Sequence, residues 1–135
     1  MRITPAKITK LENNQIFVFG SNLAGRHGKG AAKTALKWGA IYGDAEGLQG
    51  NTYGIPSKNK SIKETLNIYE IKTYVNTFID FAKQHPEFIF LVTEIGCGLA
   101  GLKPKQVAPL FTRAIEAENI WLPKRFWNNL KENEN

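Results

Sequence analysis

The chain has 135 residues, a single cysteine and a formal net charge of +6. A chain of this length can bury a hydrophobic core of its own. A single cysteine excludes disulfide bonds within the chain, which fits a protein of a reducing compartment. No run of about 18 apolar residues is present to span a membrane, and the first ten residues lack the apolar centre of a signal peptide. We therefore expect a single domain over residues 1–135, located in the cytoplasm.

The positive charge lies in the first half of the chain. Residues 1–66 carry ten lysines and arginines against four acids, whereas residues 67–135 carry eight against eight. A site for a phosphorylated small molecule would account for this excess. A weak nucleic-acid surface would do so too, as would lysines that only keep the protein soluble.

The first predicted elements are two strands. Residues 2–12 are interrupted by Pro5, which favours an edge strand because a central strand needs the N–H group that proline lacks. The apolar run of residues 16–19 is typical of a strand that is covered on both faces.

A glycine-rich loop and an alanine-rich helical pattern follow the second strand. Residues 20–30, named glycine loop 1, contain Gly20, Gly25, Gly28 and Gly30. Strand, glycine loop and helix in this order are typical of an anion site, because glycines let the backbone approach a ligand closely and the first N–H groups of the helix can bind it. Lys29 and Lys33 lie near this helix start, so we expect a phosphate or diphosphate as the ligand.

The middle of the chain predicts a long loop and then a helix. Residues 41–63 are rich in Gly, Asn, Ser and Lys, and only Leu48 and residues 53–56 offer material for a short strand, which would lie beside glycine loop 1 if residues 51–55 join the sheet. Apolar residues then recur at helical spacing over residues 68–84, with Asn67 in the position of an N-cap. Pro86 stops this helix.

A second strand with a glycine-rich loop comes next. Residues 88–92 are all apolar and predict a central strand, which leads into residues 93–101, named glycine loop 2. A third helix is expected from about Pro104, which suits a first helical position. Its inward-facing residues would be Val107, Leu110, Phe111, Ala114 and Ile115.

The C-terminal part predicts a last strand at residues 119–123, a short helix at residues 124–131 and a flexible tail at residues 131–135. The order of all these elements predicts an α/β sandwich with a mostly parallel sheet. In such sheets ligands bind beyond the carboxyl ends of the strands, so we expect the two glycine loops to meet in one crevice.

Neither glycine loop alone matches a common nucleotide motif. Residues 96–101 fit G-x-G-x-x-G, but they come late in the chain and do not open a helix directly, which argues against a conventional Rossmann dehydrogenase. Glycine loop 1 lacks the G-K-[ST] ending of a Walker motif. Two glycine loops at equivalent ends of two strands are a stronger signal than either loop alone.

The segment GSNLAGRHGKGAAKTALKWGA, residues 20–40, resembles the signature of macrodomains, the ADP-ribose-binding modules. In that signature an asparagine after an apolar strand precedes a glycine-rich turn and an alanine-rich helix. Residues 93–104 resemble the second phosphate loop of the family, and residues 48–56 loosely resemble the strand between the loops. The resemblance covers about residues 16–123 and is closer still to small bacterial and phage macrodomain-like proteins. It implies a three-layer sandwich with helices on both faces of the sheet.

The resemblance implies that the protein binds ADP-ribose or a related NAD-derived nucleotide, and it leaves hydrolysis of ADP-ribosyl bonds open. Asn22 would touch the distal ribose, Gly28–Gly30 would wrap the ribose and diphosphate, and Gly96–Gly101 would cradle the diphosphate from the other side. The aspartate that the family keeps for the adenine amino group, in a Gly-Asp-Ile motif near its start, has no counterpart here. The candidate ligand-binding residues are Gly20, Ser21, Asn22, Gly25, His27, Gly28, Lys29, Gly30, Gly96, Cys97, Gly98, Leu99, Ala100 and Gly101.

The candidate catalytic residues are Glu94 and Asn22. Glu94 ends a predicted buried strand and would act as a base or orient a sugar hydroxyl, unless backbone N–H groups bind its carboxylate. His27 would contact phosphate or move a proton, or else lie solvated in its loop. Cys97 is either an activated thiol or a small residue packed under the ligand. Two histidines and one cysteine provide no ligand cluster, so we expect neither a metal nor a cofactor.

Two other functions remain open. A Rossmann-like nucleoside-monophosphate glycosidase has a similar early Gly-Ser-Asn loop, although the Pro-Gly-Gly-x-Gly-Thr type of loop expected of that class is absent from this sequence. A basic module that binds nucleic acid or a protein without catalysis would explain the charge, and it predicts binding that weakens steeply with salt.

Overall fold

Six strands and four α-helices make up the protein in a computed structural model that describes residues 2–133. The strands are β1 (Ile3–Thr4), β2 (Gln15–Asn22), β3 (Gly47–Gln49), β4 (Thr52–Lys58), β5 (Ile89–Val92) and β6 (Ile120–Pro123). The helices are α1 (Gly30–Ala35), α2 (Ile68–Lys83), α3 (Pro104–Val107) and α4 (Lys124–Asn133). Two 3₁₀ segments cover Leu36–Trp38 and Ala108–Glu116.

The strands form one sheet in the order β1-β6-β5-β2-β4-β3. All neighbouring pairs are parallel except β3 and β4, which are antiparallel at one edge. The prediction of an α/β fold with a mostly parallel sheet is therefore confirmed. β1 lies at the other edge, as predicted, but it covers only Ile3–Thr4 of the predicted residues 2–12 and ends before Pro5.

The alternating side chains of β2 separate two apolar cores. Ile16 and Val18 face the larger core, in which α2, the 3₁₀ segment 108–116 and α4 cover the sheet. Phe17 and Phe19 face the smaller core, which α1 covers with Ala32 and Ala35. Small alanine side chains bring α1 close to the sheet, so glycine loop 1 is held against the end of β2.

Helix α2 begins and ends close to the predicted positions. The side chain of Asn67 accepts a hydrogen bond of 2.9 Å from the backbone N–H of Glu70, so the predicted N-cap is confirmed. At the other end of the chain, α4 continues through Asn133, and residues 134–135 of the predicted tail lie outside the described residues. Among residues 2–133, no helix is both long and apolar enough to cross a membrane.

The segment of residues 41–63 contains more regular structure than predicted. β4 extends the expected strand to Lys58, and β3 pairs with it through a turn at Gly50, where φ is +58°. The predicted strand material lies in these two strands, Leu48 in β3 and residues 53–56 in β4. Pro56 is tolerated in β4 because β3 pairs only with residues 52–54. On that side of β4, Pro56 has no strand partner that would need its missing N–H group.

The third predicted helix is α-helical only over its first turn. α3 stops at Val107 and continues as the 3₁₀ segment 108–116. Pro109 has no N–H group to donate to the carbonyl of Lys105, so the α-helical hydrogen-bond pattern is interrupted there. Of the predicted inward-facing residues, four are buried and Ile115 is half-buried.

Candidate functional site

A cleft of about 810 Å³ opens at the carboxyl ends of β2 and β5. Both glycine loops line it, because parallel strands end at the same edge of the sheet and each loop leaves from that edge. Residues from the end of β4 form a third wall. The predicted site residues on this lining are Gly20, Ser21, Asn22, Gly28, Lys29, Gly30, Glu94, Gly96, Cys97, Gly98, Leu99 and Ala100.

The two glycine loops approach each other closely at two points. A Cβ atom placed on Gly20 would lie 3.4 Å from the backbone nitrogen of Gly96, and one on Gly30 would lie 3.7 Å from Cδ1 of Leu99. The hydroxyl of Thr65 donates a 2.5 Å hydrogen bond to the Ala100 carbonyl and holds glycine loop 2 from behind. The two loops therefore nearly touch at these points, and the cleft opens beside them.

Three cations line the cleft from different walls. Arg26 and Lys29 belong to glycine loop 1, and Lys58 ends β4. None of the three makes an ion pair with another residue in the described range 2–133. Their uncompensated charge makes the cleft attractive to an anion.

The side chain of Asn22 is oriented by its own loop. Its Nδ2 donates to the Arg26 carbonyl and its Oδ1 accepts from the Arg26 N–H, both at 2.9 Å. An asparagine side chain has two donor hydrogens and two acceptor lone pairs, so one of each is left for a ligand. Asn22 is thus held in one orientation at the cleft wall.

Three predicted ligand residues lie outside the cleft lining. Gly25 adopts φ +68° and accepts a 2.7 Å hydrogen bond from Gly43 N–H, so it shapes the loop from behind. His27 is 1% exposed, contacts the Asp44 carbonyl through Nε2 at 3.0 Å and packs edge-on against a neighbouring phenylalanine. Gly101 adopts φ +78° and closes a turn with Gly98. These positions support the walls and do not face the cavity.

Glu94 reaches the cleft wall but forms an ion pair that sequence reasoning missed. Arg125, at the start of α4, donates from Nε and Nη2 to the two carboxylate oxygens at 2.6 Å each. These hydrogen bonds lower the pKa of the Glu94 carboxyl below its ordinary value, outweighing the opposite effect of burial. A carboxylate held ionised by a guanidinium is a weak base, so Glu94 is better suited to positioning than to proton abstraction.

The ion pair predicts a defined acid sensitivity. Because the pKa of Glu94 is depressed in the folded protein, the pair stabilises the fold above the unfolded value of about 4.5 and is lost as pH falls through the folded value. We therefore expect Glu94→Gln to be less stable than the wild type at pH 7. The difference should shrink below pH 4.5, as measured by urea unfolding across pH 3–7. A difference that stays constant with pH would contradict the role given to Arg125.

Cys97 is half-buried beneath the cleft. Burial, followed by the nearby Glu94 carboxylate, raises the pKa of its thiol to about 11. The Sγ atom contacts the Ile95 carbonyl at 3.5 Å. The sequence left open a thiol activated by its loop, and the raised pKa argues for the other alternative, a small residue packed under the ligand.

The raised pKa of Cys97 predicts slow alkylation. With iodoacetamide at pH 7.5, we expect the folded protein to react at least about tenfold more slowly than the urea-unfolded chain, because the thiolate is the reactive form. The rate should keep rising up to about pH 11, which mass spectrometry can follow. A rate that levels off below pH 9 would indicate an activated thiol.

Eight further residues on the cleft lining were not among the predicted site residues, and four of them have charged or large side chains. These four are Arg26, Tyr42, Lys58 and Ile62. The place of Arg26 inside glycine loop 1 was a usable signal. Tyr42, Lys58 and Ile62 reach the cleft only because β3, β4 and the turn after β4 fold back toward glycine loop 1. No local sequence pattern predicts this arrangement.

Ile62 has an unusual backbone conformation for a residue on the cleft wall. Its φ is +58°, a left-handed value that costs a β-branched residue about 1–2 kcal/mol. The turn is held by hydrogen bonds from Ile62 N–H to the Asn59 carbonyl at 3.0 Å and from Asn59 N–H to the Glu64 carbonyl at 2.9 Å. Such strain is concentrated at binding sites more often than elsewhere.

A second cavity, named the basic pocket, adjoins the cleft. It measures about 890 Å³ and shares Ala31, Thr93 and Glu94 with the cleft. Its other walls are the segment after β1, one face of α1 and the junction between β6 and α4. The cleft and the basic pocket are thus neighbouring cavities, and Glu94 lies on the wall that they share.

No group of three or more histidines, cysteines or acids within residues 2–133 is arranged to hold a metal ion. No protein-family model, curated protein or solved structure gives a significant match to this chain. Function is therefore inferred from the chemistry of the cleft and the basic pocket.

Proposed function

We propose that the protein binds ADP-ribose, or a related NAD-derived nucleotide, with its diphosphate between the two glycine loops. The observation that carries the proposal is the approach of the two loops across one cleft, with three unpaired cations on its walls. Backbone N–H groups of glycine-rich turns suit phosphate oxygens, and cations compensate the charge of a diphosphate.

The diphosphate would lie beside Gly28 and Gly98. No atom lies within 4 Å of a Cβ built at either position, so there is open space at both. α1 begins next to this space without a side-chain cap at Lys29 and without an acid in its first turn. Its first N–H groups therefore add to the donors of the two loops.

The distal sugar would contact Asn22. The donor and acceptor that this amide keeps after its two bonds to Arg26 match a ribose hydroxyl, which also donates and accepts. The nucleoside at the other end of the diphosphate would enter the basic pocket, which has apolar walls at Ile3, Ile8 and Phe17. The contact of the distal sugar with Asn22 agrees with the resemblance to macrodomains in the segment of residues 20–40, which also implies a three-layer sandwich.

Hydrolysis of an ADP-ribosyl bond at this site would depend on orientation. Arg125 occupies both oxygens of Glu94, so a strong general base is not available from this carboxylate. Asn22 and the loops would hold a water molecule against the anomeric carbon. The reaction would then be accelerated by the orientation of this water and not by a strong base. The activity assay belongs after binding has been established.

Calorimetric titration with ADP-ribose tests the proposal directly. NAD, AMP and a short oligonucleotide serve as comparison ligands, and Asn22→Ala as the site variant. Asn128→Ala is the matched control, because Asn128 is an exposed asparagine on α4 that lines neither cavity. We expect saturable binding of ADP-ribose that Asn22→Ala weakens by about tenfold and Asn128→Ala leaves unchanged.

The opposite outcomes point to the other functions. Absence of binding to any free nucleotide by the folded protein would overturn the proposal. Binding of the oligonucleotide alone, with an affinity that falls steeply between about 50 and 200 mM salt, would favour a nucleic-acid module. Release of a base from AMP or another nucleoside monophosphate would favour the glycosidase.

A further inference from the structure

The basic pocket carries more positive charge than a nucleoside requires. Lys7 follows β1, Lys37 lies in the 3₁₀ segment after α1, and Lys124 begins α4, yet all three line this one cavity. Its only acid among residues 2–133 is Glu94, which is neutralised by its pair with Arg125. The charges of the three lysines are therefore left uncompensated.

The three lysines also lack partners elsewhere. None of them makes an ion pair with a residue that the structure describes. Like charges gathered around one cavity repel one another, and an anion placed among them removes that repulsion. A neutral base and an unmodified ribose would not.

A buried hydroxyl lies at the same place. Thr4 lines the basic pocket and is 5% exposed, and its Oγ1 has no hydrogen-bond partner within residues 2–133. Buried polar groups are rarely left unpaired, so a ligand or ordered water that reached this hydroxyl from the pocket would supply its missing partner. A phosphate oxygen, directly or through an ordered water, accepts from such a donor.

We propose that the basic pocket binds a phosphate monoester on the nucleoside end of the ligand, so that the preferred ligand is an ADP-ribose-type nucleotide with a phosphate on its nucleoside ribose. This inference rests on the proposed function, since it assumes that the diphosphate lies in the cleft. The two cavities share Ala31, Thr93 and Glu94, so a ligand that extends past these residues would occupy both. A phosphate monoester carries nearly two negative charges at neutral pH and matches the uncompensated lysines.

The test compares ADP-ribose with 2′-phospho-ADP-ribose by calorimetry. The pocket variant combines Lys7→Gln, Lys37→Gln and Lys124→Gln. Its control combines Lys72→Gln, Lys83→Gln and Lys105→Gln, three exposed lysines that line neither cavity, so both variants lose the same net charge. We expect the added phosphate to increase affinity by about tenfold in the wild type and in the control variant, and by less than about twofold in the pocket variant.

Thr4→Val supplies a second variant that preserves shape. It replaces a buried, unpaired hydroxyl with a methyl group, so the free protein should be at least as stable as the wild type, and only binding of the phosphorylated ligand should weaken. Adenosine 2′,5′-bisphosphate and adenosine 3′,5′-bisphosphate, each compared with AMP, show which ribose position carries the phosphate.

The outcomes separate the two proposals. Equal affinity of the wild type for ADP-ribose and its 2′-phosphate, with no gain from either bisphosphate, would overturn the inference and leave the proposed function standing. A gain that persists in the pocket variant would overturn it as well. Failure of every one of these ligands to bind would overturn both proposals.

Discussion

Replacing Gly98 with glutamate is expected to abolish ADP-ribose binding while the protein stays folded. A Cβ at this position meets open space and Gly98 does not need a left-handed backbone, so the new side chain would be accommodated. Its carboxylate would enter the space assigned to the diphosphate. Repulsion between the two anions costs several kcal/mol, so we expect affinity to fall by at least about 100-fold in calorimetric titration.

Gly98→Gln is the matched control for this variant. Glutamine has nearly the same size as glutamate and no charge, so it separates electrostatic repulsion from steric blocking. We expect it to retain more affinity than Gly98→Glu, and thermal unfolding should show similar stability for both. Unchanged binding in the glutamate variant would place the diphosphate elsewhere.

Gly25→Ala is expected to destabilise the fold by about 3 kcal/mol, although Gly25 lies in glycine loop 1 and its candidate role was ligand binding. Its φ of +68° disfavours any side chain. A Cβ there would overlap the carbonyl carbon of Gly43 and lie 2.6 Å from the backbone nitrogen of Asp44. Backbone atoms on a neighbouring turn cannot move aside as a flexible side chain would.

Urea unfolding of Gly25→Ala beside Gly28→Ala measures this effect. Gly28 belongs to the same loop, but a Cβ on it would meet no atom within 4 Å, so its alanine variant should unfold at nearly the wild-type urea concentration. Equal midpoints for the two variants would show that Gly25 is not the position that fixes the loop.

The regular elements were predictable where local signals were strong. The apolar run of β2 and β5, the helical spacing of α2 and the N-cap at Asn67 all arise from neighbours in the chain. Of β3 and β4, Leu48 and residues 53–56 were predicted as strand material, but the full length of the two strands and their pairing were not, because glycine and proline usually break strands. Glycine and proline are tolerated in β4 for two reasons. Gly54 lets the Ala45 backbone approach closely, and the pairing of β3 with β4 stops at residue 54, short of Pro56.

The site was predictable in its loops and not in its partners. Glycine spacing located the two loops, and parallel strands explain why they meet. The ion pair joins residues 31 positions apart in the chain, Glu94 and Arg125, and Lys58 reaches the cleft through pairing of β4 with β2. His27 was expected to contact phosphate or to lie solvated in its loop, but the structure buries it. A histidine in a glycine-rich loop gives no local sign of this burial.

The unequal size of the two cores has a consequence for motion. Glycine loop 2 is tied to the larger core, where Leu102 and Val107 pack beside Gly96, whereas glycine loop 1 rests on α1 and the small core around Phe17 and Phe19. Local opening costs least where little apolar surface is buried, so amide hydrogens of α1 should exchange with solvent faster than those of α2. A nucleotide bound to both loops would link glycine loop 1 and α1 to the larger core. Amide hydrogen exchange in α1 should therefore slow when the nucleotide binds.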